Sequence, residues 1–161
     1  MPSFSETVEE HIGDVYAFFA YRVGPQADAE DLTQTTFERA YRAWGSYDAA
    51  RGSARTWLLA IARNLLVDHY RSSGSRREQP LGEEHDVQAP ELDPAPGLDP
   101  ALAGALEALA ERDREILALR YGADLSGAEI ASLTGLTLAN VQQILSRSLR
   151  RLRSELDRPA S

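Results

Sequence analysis

Residues 125–153 read LSGAEIASLTGLTLANVQQILSRSLRRLR, and this stretch decides the fold. Ser126 and Glu129 have the spacing of a capping box, in which the hydroxyl accepts from an early helix amide while the carboxylate reaches back. A short apolar run follows (Ile130, Ala131, Leu133) and stops at Gly135, where a positive φ costs little. Thr137 is placed to cap a second, longer helix. At about 100° per residue, Val141, Leu145, Ser148, Leu149, Leu152 and Leu156 form one stripe. Asn140, Gln143, Arg147 and Arg150 form another on the opposite side. Leucines behind and amide and guanidinium groups in front suit a DNA major groove. Asn and Gln bond adenine in bidentate fashion, and Arg does the same with guanine or clasps phosphate. The expected geometry is a helix-turn-helix. An ordinary amphipathic surface helix has the same apolar stripe, so the assignment needs support from the rest of the chain.

Total charge opposes it. The 161 residues carry a net charge of −8 and no cysteine, so neither disulfides nor thiolate metal sites are expected. No basic-then-apolar leader and no span-length apolar run is evident. The expected setting is cytoplasmic, with no membrane insertion, metal or cofactor. The charge is unevenly distributed, however. Residues 51–71 hold four arginines and one acid, and residues 140–161 hold five arginines and two acids. Both positive islands stand in an otherwise acidic chain. Screening limits interactions to about 8–10 Å, so phosphate responds to local potential more than to the total.

In chain order, the apolar spacing of Val8, Ile12, Val15 and Phe19 predicts a helix over 5–22, with Thr7 and Glu10 as its capping box. Gly24-Pro25 ends it. A second helix is expected over 28–44. Asp28, Glu30 and Asp31 lie in its first turn, where the macrodipole favours them, which explains the acidic cluster better than a metal site does. Phe37, Tyr41 and Trp44 are expected to stack into the core. A loop over 45–53 precedes a third helix over 54–70, with Leu58, Ile61, Ala62 and Leu65 inside. Arg55, Arg63, Asn64, Asp68 and Arg71 are left for solvent or a partner. Tyr47, Arg51 and Trp57 add rings to this island. Basic groups interleaved with aromatics serve single-stranded nucleic acid, charge for the backbone and rings for unstacked bases, although Trp57 also suits a core.

The stretch from Ser72 to Pro100 holds five of the eight prolines and is acidic without periodicity, which predicts a flexible linker over 73–99. The chain is therefore expected to be all-α. Two small helical domains, 1–72 and 100–161, flank the linker, and the second is the helix-turn-helix. Further helices are expected over 100–110 and from a cap at Asp113 to Tyr121. No phosphate loop, nucleophile elbow or metal-ligand spacing is present, and His11, His69 and His85 lie far apart. An enzyme has no constellation to stand on.

With both islands placed, the chain resembles a bacterial RNA polymerase sigma factor of the compact extracytoplasmic-function (ECF) group. AEDLTQTTFERAYRAW (29–44) is similar to the family's second conserved region, which docks on the clamp helices of the polymerase β′ subunit. GSARTWLLAIARNLLVDHYR (52–71) is similar to the segment that melts and reads the −10 element. Residues 106–153 resemble the fourth region, which reads the −35 element. The resemblance implies that Asp31, Leu32, Gln34, Thr35, Phe37 and Arg39 contact core polymerase. The 45–53 loop, with Tyr47 and Arg51, would capture a flipped −10 base. Arg55, Arg63, Asn64, Asp68 and Arg71 would lie along the promoter strand. Asn140, Gln143, Arg147, Arg150 and Arg151 would meet the −35 duplex. The implied partners are core RNA polymerase through β′ and the β flap, promoter DNA, and an anti-sigma factor.

Two departures qualify the resemblance. Relatives often carry Glu where Thr35 stands. They also open the recognition helix with roughly Thr-Val-Lys-Ser-Arg, where this chain has Asn140-Val141-Gln142-Gln143-Ile144. Each lost phosphate contact lowers the salt slope by about 0.9, so a weak, salt-tolerant −35 contact with unusual base preference is expected. Two rival readings are a stand-alone helix-turn-helix regulator and a polymerase-binding decoy or adaptor that does not initiate.

Overall fold

The computed structural model describes residues 3–24, 27–76 and 100–157, and these are helical, with no strand among them. Helix α1 (Phe4–Val23) starts one residue before the expected 5–22 and takes its cap from Ser3, one turn before Thr7. The sequence offers an equivalent capping pair at Ser3 and Glu6: the Glu6 amide donates to Ser3 Oγ at 3.1 Å and the Ser3 amide to Glu6 Oε1 at 2.9 Å. Thr7, expected to be the cap, is instead buried and donates its hydroxyl to the Ser3 carbonyl.

Helix α2 (Ala27–Arg42) packs on α1 and α3 and buries Ala29, Thr33, Thr36, Phe37 and Ala40. Its buried threonines return their hydroxyl protons to the carbonyls four residues back, Thr33 to Ala29 and Thr36 to Leu32. Trp44–Ser46 is a separate 3-10 turn. The expected inward stack of Phe37, Tyr41 and Trp44 therefore holds for Phe37, is half-met by Trp44, and fails for Tyr41, which is 68% exposed. The buried arc of α2 runs along Thr33, Thr36, Phe37 and Ala40 and leaves Tyr41 on the rim, with the Phe4 ring T-shaped to it at a centroid distance of 5.3 Å.

Helix α3 (Ala54–Arg76) opens on Ser53, whose Oγ accepts from the Thr56 amide. It buries Leu58, Leu59, Ala62, Leu65 and Leu66, while Ile61 is half-buried. The helix runs four residues past the start expected for the linker, and residues 77–99 lie outside the described residues.

The C-terminal unit comprises α4 (Pro100–Glu107), α5 (Glu111–Leu117) with a π-helical turn at Ala118–Gly122, α6 (Gly127–Thr134) and α7 (Leu138–Leu156). Asp113 does not cap α5. The helix begins two residues earlier, and Asp113 sits in its first turn. The capping box at Ser126 and Glu129, the left-handed Gly135 at φ 80° and the Thr137 cap on Asn140 all form as the sequence indicates.

The two units share one contiguous core. Helix α1 packs on both, touching α2 and α3 on one side and α5 and the π-helical turn on the other. At that crossing a Cβ on Gly122 would stand 3.0 Å from the Ala17 carbonyl oxygen, so the backbones approach as only glycine permits. Arg22 Nη1 donates to the Glu111 carbonyl at 2.7 Å, and Arg114 Nε donates to the Tyr21 carbonyl at 2.8 Å. Burial at this seam pushes the Tyr21 hydroxyl above its usual pKa and Arg114 below its own. The residues that join the two units, Tyr21, Arg22, Glu111, Arg114 and Gly122, carry no mark in the local sequence pattern.

Candidate nucleic-acid and polymerase interfaces

Three surfaces gather the predicted functional residues. The first is the outer face of α7. Asn140, Gln143, Arg147, Arg150 and Arg151 are all exposed, while Val141, Ile144, Ser148 and Leu152 form the buried side. Two of the guanidinium groups are already engaged within their own unit. Arg147 Nη2 donates to Asp113 Oδ1 at 3.0 Å and Arg151 Nη2 to the Ala108 carbonyl at 3.4 Å. Ile144, which helical phase leaves off the leucine stripe, is only 3% exposed. Leu156, which phase assigns to that stripe, is 46% exposed, because it ends the helix. The departure at 144 therefore extends the core, whereas Gln142 and Gln143 remain on the outer surface.

The second surface is the loop before α3. Trp44 and Tyr47 stack with ring centroids 5.3 Å apart and planes 18° from parallel, and Trp57 leans on both. Tyr47 donates its hydroxyl to the Gly52 carbonyl, closing the loop across its neck. Asp48 Oδ1 accepts from the Ala50 amide, an Asx turn that stiffens the tip. Between them lies a cavity of about 310 Å³ lined by Tyr47, Arg51, Thr56 and Trp57. Along α3, Asn64, Asp68 and Arg71 are exposed. Arg55 and Arg63 are not free. Arg55 Nε donates to Asp14 of α1 at 3.0 Å, and Arg63 is chelated by Glu115 of α5. These two arginines, expected to face solvent or a partner, hold helices together in this structure.

The third surface is an apolar groove between α1 and α2, with a volume of about 910 Å³. Gln34 and Phe37 line it together with Val8, Ile12, Tyr16 and Tyr41. Asp31 and Arg39 are exposed, and Leu32 and Thr35 half-buried, on the same helix but outside the groove lining. Ile12 and Tyr41 escaped the sequence reading because their spacing is that of core residues. Only the open flank between two helices leaves them 46% and 68% exposed. Among the described residues no group of three or more His, Asp or Glu is arranged to hold a metal, and no helix is long and apolar enough to cross a membrane.

Comparison with known proteins matches two segments of the chain. Residues 7–76 match the family model for Sigma-70 region 2, and residues 100–152 match that for Sigma-70, region 4. The ECF RNA polymerase sigma factor BldN of Streptomyces coelicolor is 34% identical over 93% of this chain, which spans 59% of BldN's length. The ECF RNA polymerase sigma factor SigC of Mycobacterium tuberculosis is 35% identical over 84% of this chain and 73% of its own. Two solved structures share the fold. The sigma factor RpoE of Bartonella quintana, in complex with the anti-sigma factor NepR, aligns at TM-score 0.77 with 24% identity over 96% of this chain and 98% of its own. CnrH, in complex with the cytosolic domain of CnrY, aligns at TM-score 0.67 with 26% identity over 96% of this chain and 87% of its own. With both regions matched in order on helices that present these three surfaces, the chain belongs to the extracytoplasmic-function group of RNA polymerase sigma factors.

Proposed function

We propose that the chain binds core RNA polymerase in the cytoplasm and directs promoter-specific initiation, reading −35 through α7 and capturing the melted −10 strand at the 45–53 loop. The observation that carries this reading is the pairing of two chemically different surfaces on one chain. One is a helix face of amide and guanidinium groups suited to duplex edges. The other is an aromatic-walled cavity with Arg51 at its side, suited to an unstacked base and its phosphate. A stand-alone regulator would use the first and leave the second without a role.

Polymerase would dock on α2 through Asp31, Leu32, Gln34, Thr35, Phe37 and Arg39, with Ile12 and Tyr41 of the adjoining groove adding apolar area, and would meet the C-terminal unit at the β flap. Arg51, Asn64, Asp68 and Arg71 would follow the promoter strand, with Arg55 holding α3 against α1. The chain would perform no bond chemistry. Tethering would let two weak DNA contacts act together once polymerase fixes their spacing. An anti-sigma partner is also expected, since RpoE is held by the anti-sigma factor NepR and CnrH by the cytosolic domain of CnrY.

Run-off transcription with purified core polymerase on a promoter library tests the proposal. Promoter-specific transcripts sharing two elements are expected. Core binding without transcripts would make the chain a decoy, and promoter binding without polymerase would make it a stand-alone regulator.

A further inference from the structure

Arg22, near the end of α1, is a buried cation without an anion. It is 6% exposed and forms no ion pair among the described residues. Its Nη1 donates to the Glu111 carbonyl, its Nε is buried without a hydrogen-bond partner, and its guanidinium lies 5.5 Å from the centroid of the Tyr70 ring. A carbonyl and a ring face carry only partial negative charge, whereas a buried guanidinium needs a full counter-charge to offset its lost hydration. A second cation adds to the excess: Arg114 is pushed below its usual pKa by burial and further by the charge of Arg22. Beside Arg22 opens a cavity of about 460 Å³, a size that suits small-molecule sites. Four arginines line it, Arg22, Arg63, Arg71 and Arg112, against Glu111 and Glu115. Arg63 and Glu115 neutralise each other in a 2.8 Å ion pair. Three cations are left facing one carboxylate, in a chain whose total charge is −8.

We propose that this cavity, walled by α1, α3 and α5, is a binding site for a small phosphate-bearing molecule no larger than a mononucleotide. Arg71 and Arg112 are exposed and free of ion pairs among the described residues, so both can turn onto a ligand. Phosphate oxygens accept from them in the paired manner that guanidinium geometry favours, and the phosphate charge compensates Arg22. Val67, half-exposed, and Tyr70 form an apolar wall on which the organic part of an ester can lie. A phosphate fits better than a carboxylate, because one negative charge leaves the three cations in excess. A discrete molecule fits better than a nucleic-acid strand, because helices from three segments wall the cavity and one of its cations is buried. The ligand ties these segments together and stabilises the folded chain by linkage. Of the proposed phosphate-binding groups only Arg71 also serves the promoter strand, so the site stands whether or not the −10 assignment holds.

Isothermal titration calorimetry on the full chain, in magnesium-free buffer at fixed ionic strength, tests the site with pyrophosphate, ADP and adenosine. Pyrophosphate and ADP are expected to bind at a single site, and adenosine is not. Tighter binding of ADP than of pyrophosphate places the base on the apolar wall, and equal binding shows that free phosphate chemistry suffices; either result supports the site. Arg112→Gln and Arg71→Gln should each weaken binding about tenfold, the loss of one charged hydrogen-bond donor. Arg150→Gln, the same charge change on exposed α7, should leave binding unchanged. The substituted side chains are exposed, and thermal melting of each variant confirms that it is folded. Failure of wild type to bind either phosphate, equal weakening by all three substitutions, or adenosine binding as tightly as ADP would overturn the proposal. A short single-stranded DNA is the remaining competitor. If it displaces ADP and itself weakens on Arg112→Gln as ADP does, the cavity belongs to nucleic acid and the small-molecule site falls.

Discussion

Asp113 of α5 holds Arg147 of α7 through a 3.0 Å contact between Oδ1 and Nη2, so a carboxylate with little solvent access fixes one of the guanidinium groups proposed to meet the −35 duplex. The pair links the helix preceding the helix-turn-helix to its reading face and sets the direction in which Arg147 can reach. Arg147→Ala should weaken −35 duplex binding and lower the slope of log affinity against log salt by about 0.9 if Arg147 holds phosphate. Asp113→Asn should strengthen binding, since it frees the cation and removes a negative charge beside DNA. A salt titration of duplex binding checks both.

Asn140 and Gln143 carry exposed amides at the start of α7. Asn140→Ala and Gln143→Ala should each relax base preference at one −35 position by about 1–3 kcal/mol, with the salt slope unchanged. Promoter-library transcription reads this directly, and untouched promoter choice would remove both residues from the reading face.

Tyr47 stacks on Trp44 and closes the loop through its hydroxyl. Tyr47→Ala should reduce promoter melting, measured by permanganate reactivity of the −10 strand, by the roughly 1–3 kcal/mol of one base stack. Tyr47→Phe, which keeps the ring, should retain most of the opening. Equal loss in both would assign the effect to the loop closure.

Ile12 lies in the groove beside Tyr41 and Phe37 and is half-exposed. Ile12→Asp should weaken binding to core polymerase while shifting the stability of the free chain by no more than about 0.5 kcal/mol, as surface substitutions usually do. Loss of stability in step with binding would show that the groove belongs to the core instead.

At acid pH the first turn of α1 should loosen before the rest. Backbone and side-chain hydrogen bonds with Ser3 hold the Glu6 carboxyl below its usual pKa. A depressed carboxylate pKa gives stability that is present above the unfolded value and is lost as pH falls through the folded one. Amide exchange at residues 4–7 should rise over that window in wild type. Ser3→Ala should show the faster exchange already at neutral pH, with a cost of about 1 kcal/mol.

Local patterns carried most of the helix-turn-helix because its signals are local. Ser126 with Glu129, Gly135 and Thr137 act within four residues of themselves, and each forms the expected cap or turn. Where two local signals compete, the sequence is ambiguous. Thr7 with Glu10 and Ser3 with Glu6 are both capping pairs, and the earlier one starts the helix. Phase likewise misplaced Tyr41 and Ile144. A helix sees only its own period, while burial depends on which flank another helix covers.

The sequence by itself determined the all-α class, the two positive islands and the order of the regions, because charge, caps and period are properties of neighbouring residues. Tertiary structure alone decided which arginines are free. Arg55, Arg63 and Arg147 share one chemistry with Arg71 and Arg150 in the sequence, and only the approach of Asp14, Glu115 and Asp113 from distant segments distinguishes them. Ion pairs across 34 to 52 residues follow from how helices pack, and no window along the chain contains that information.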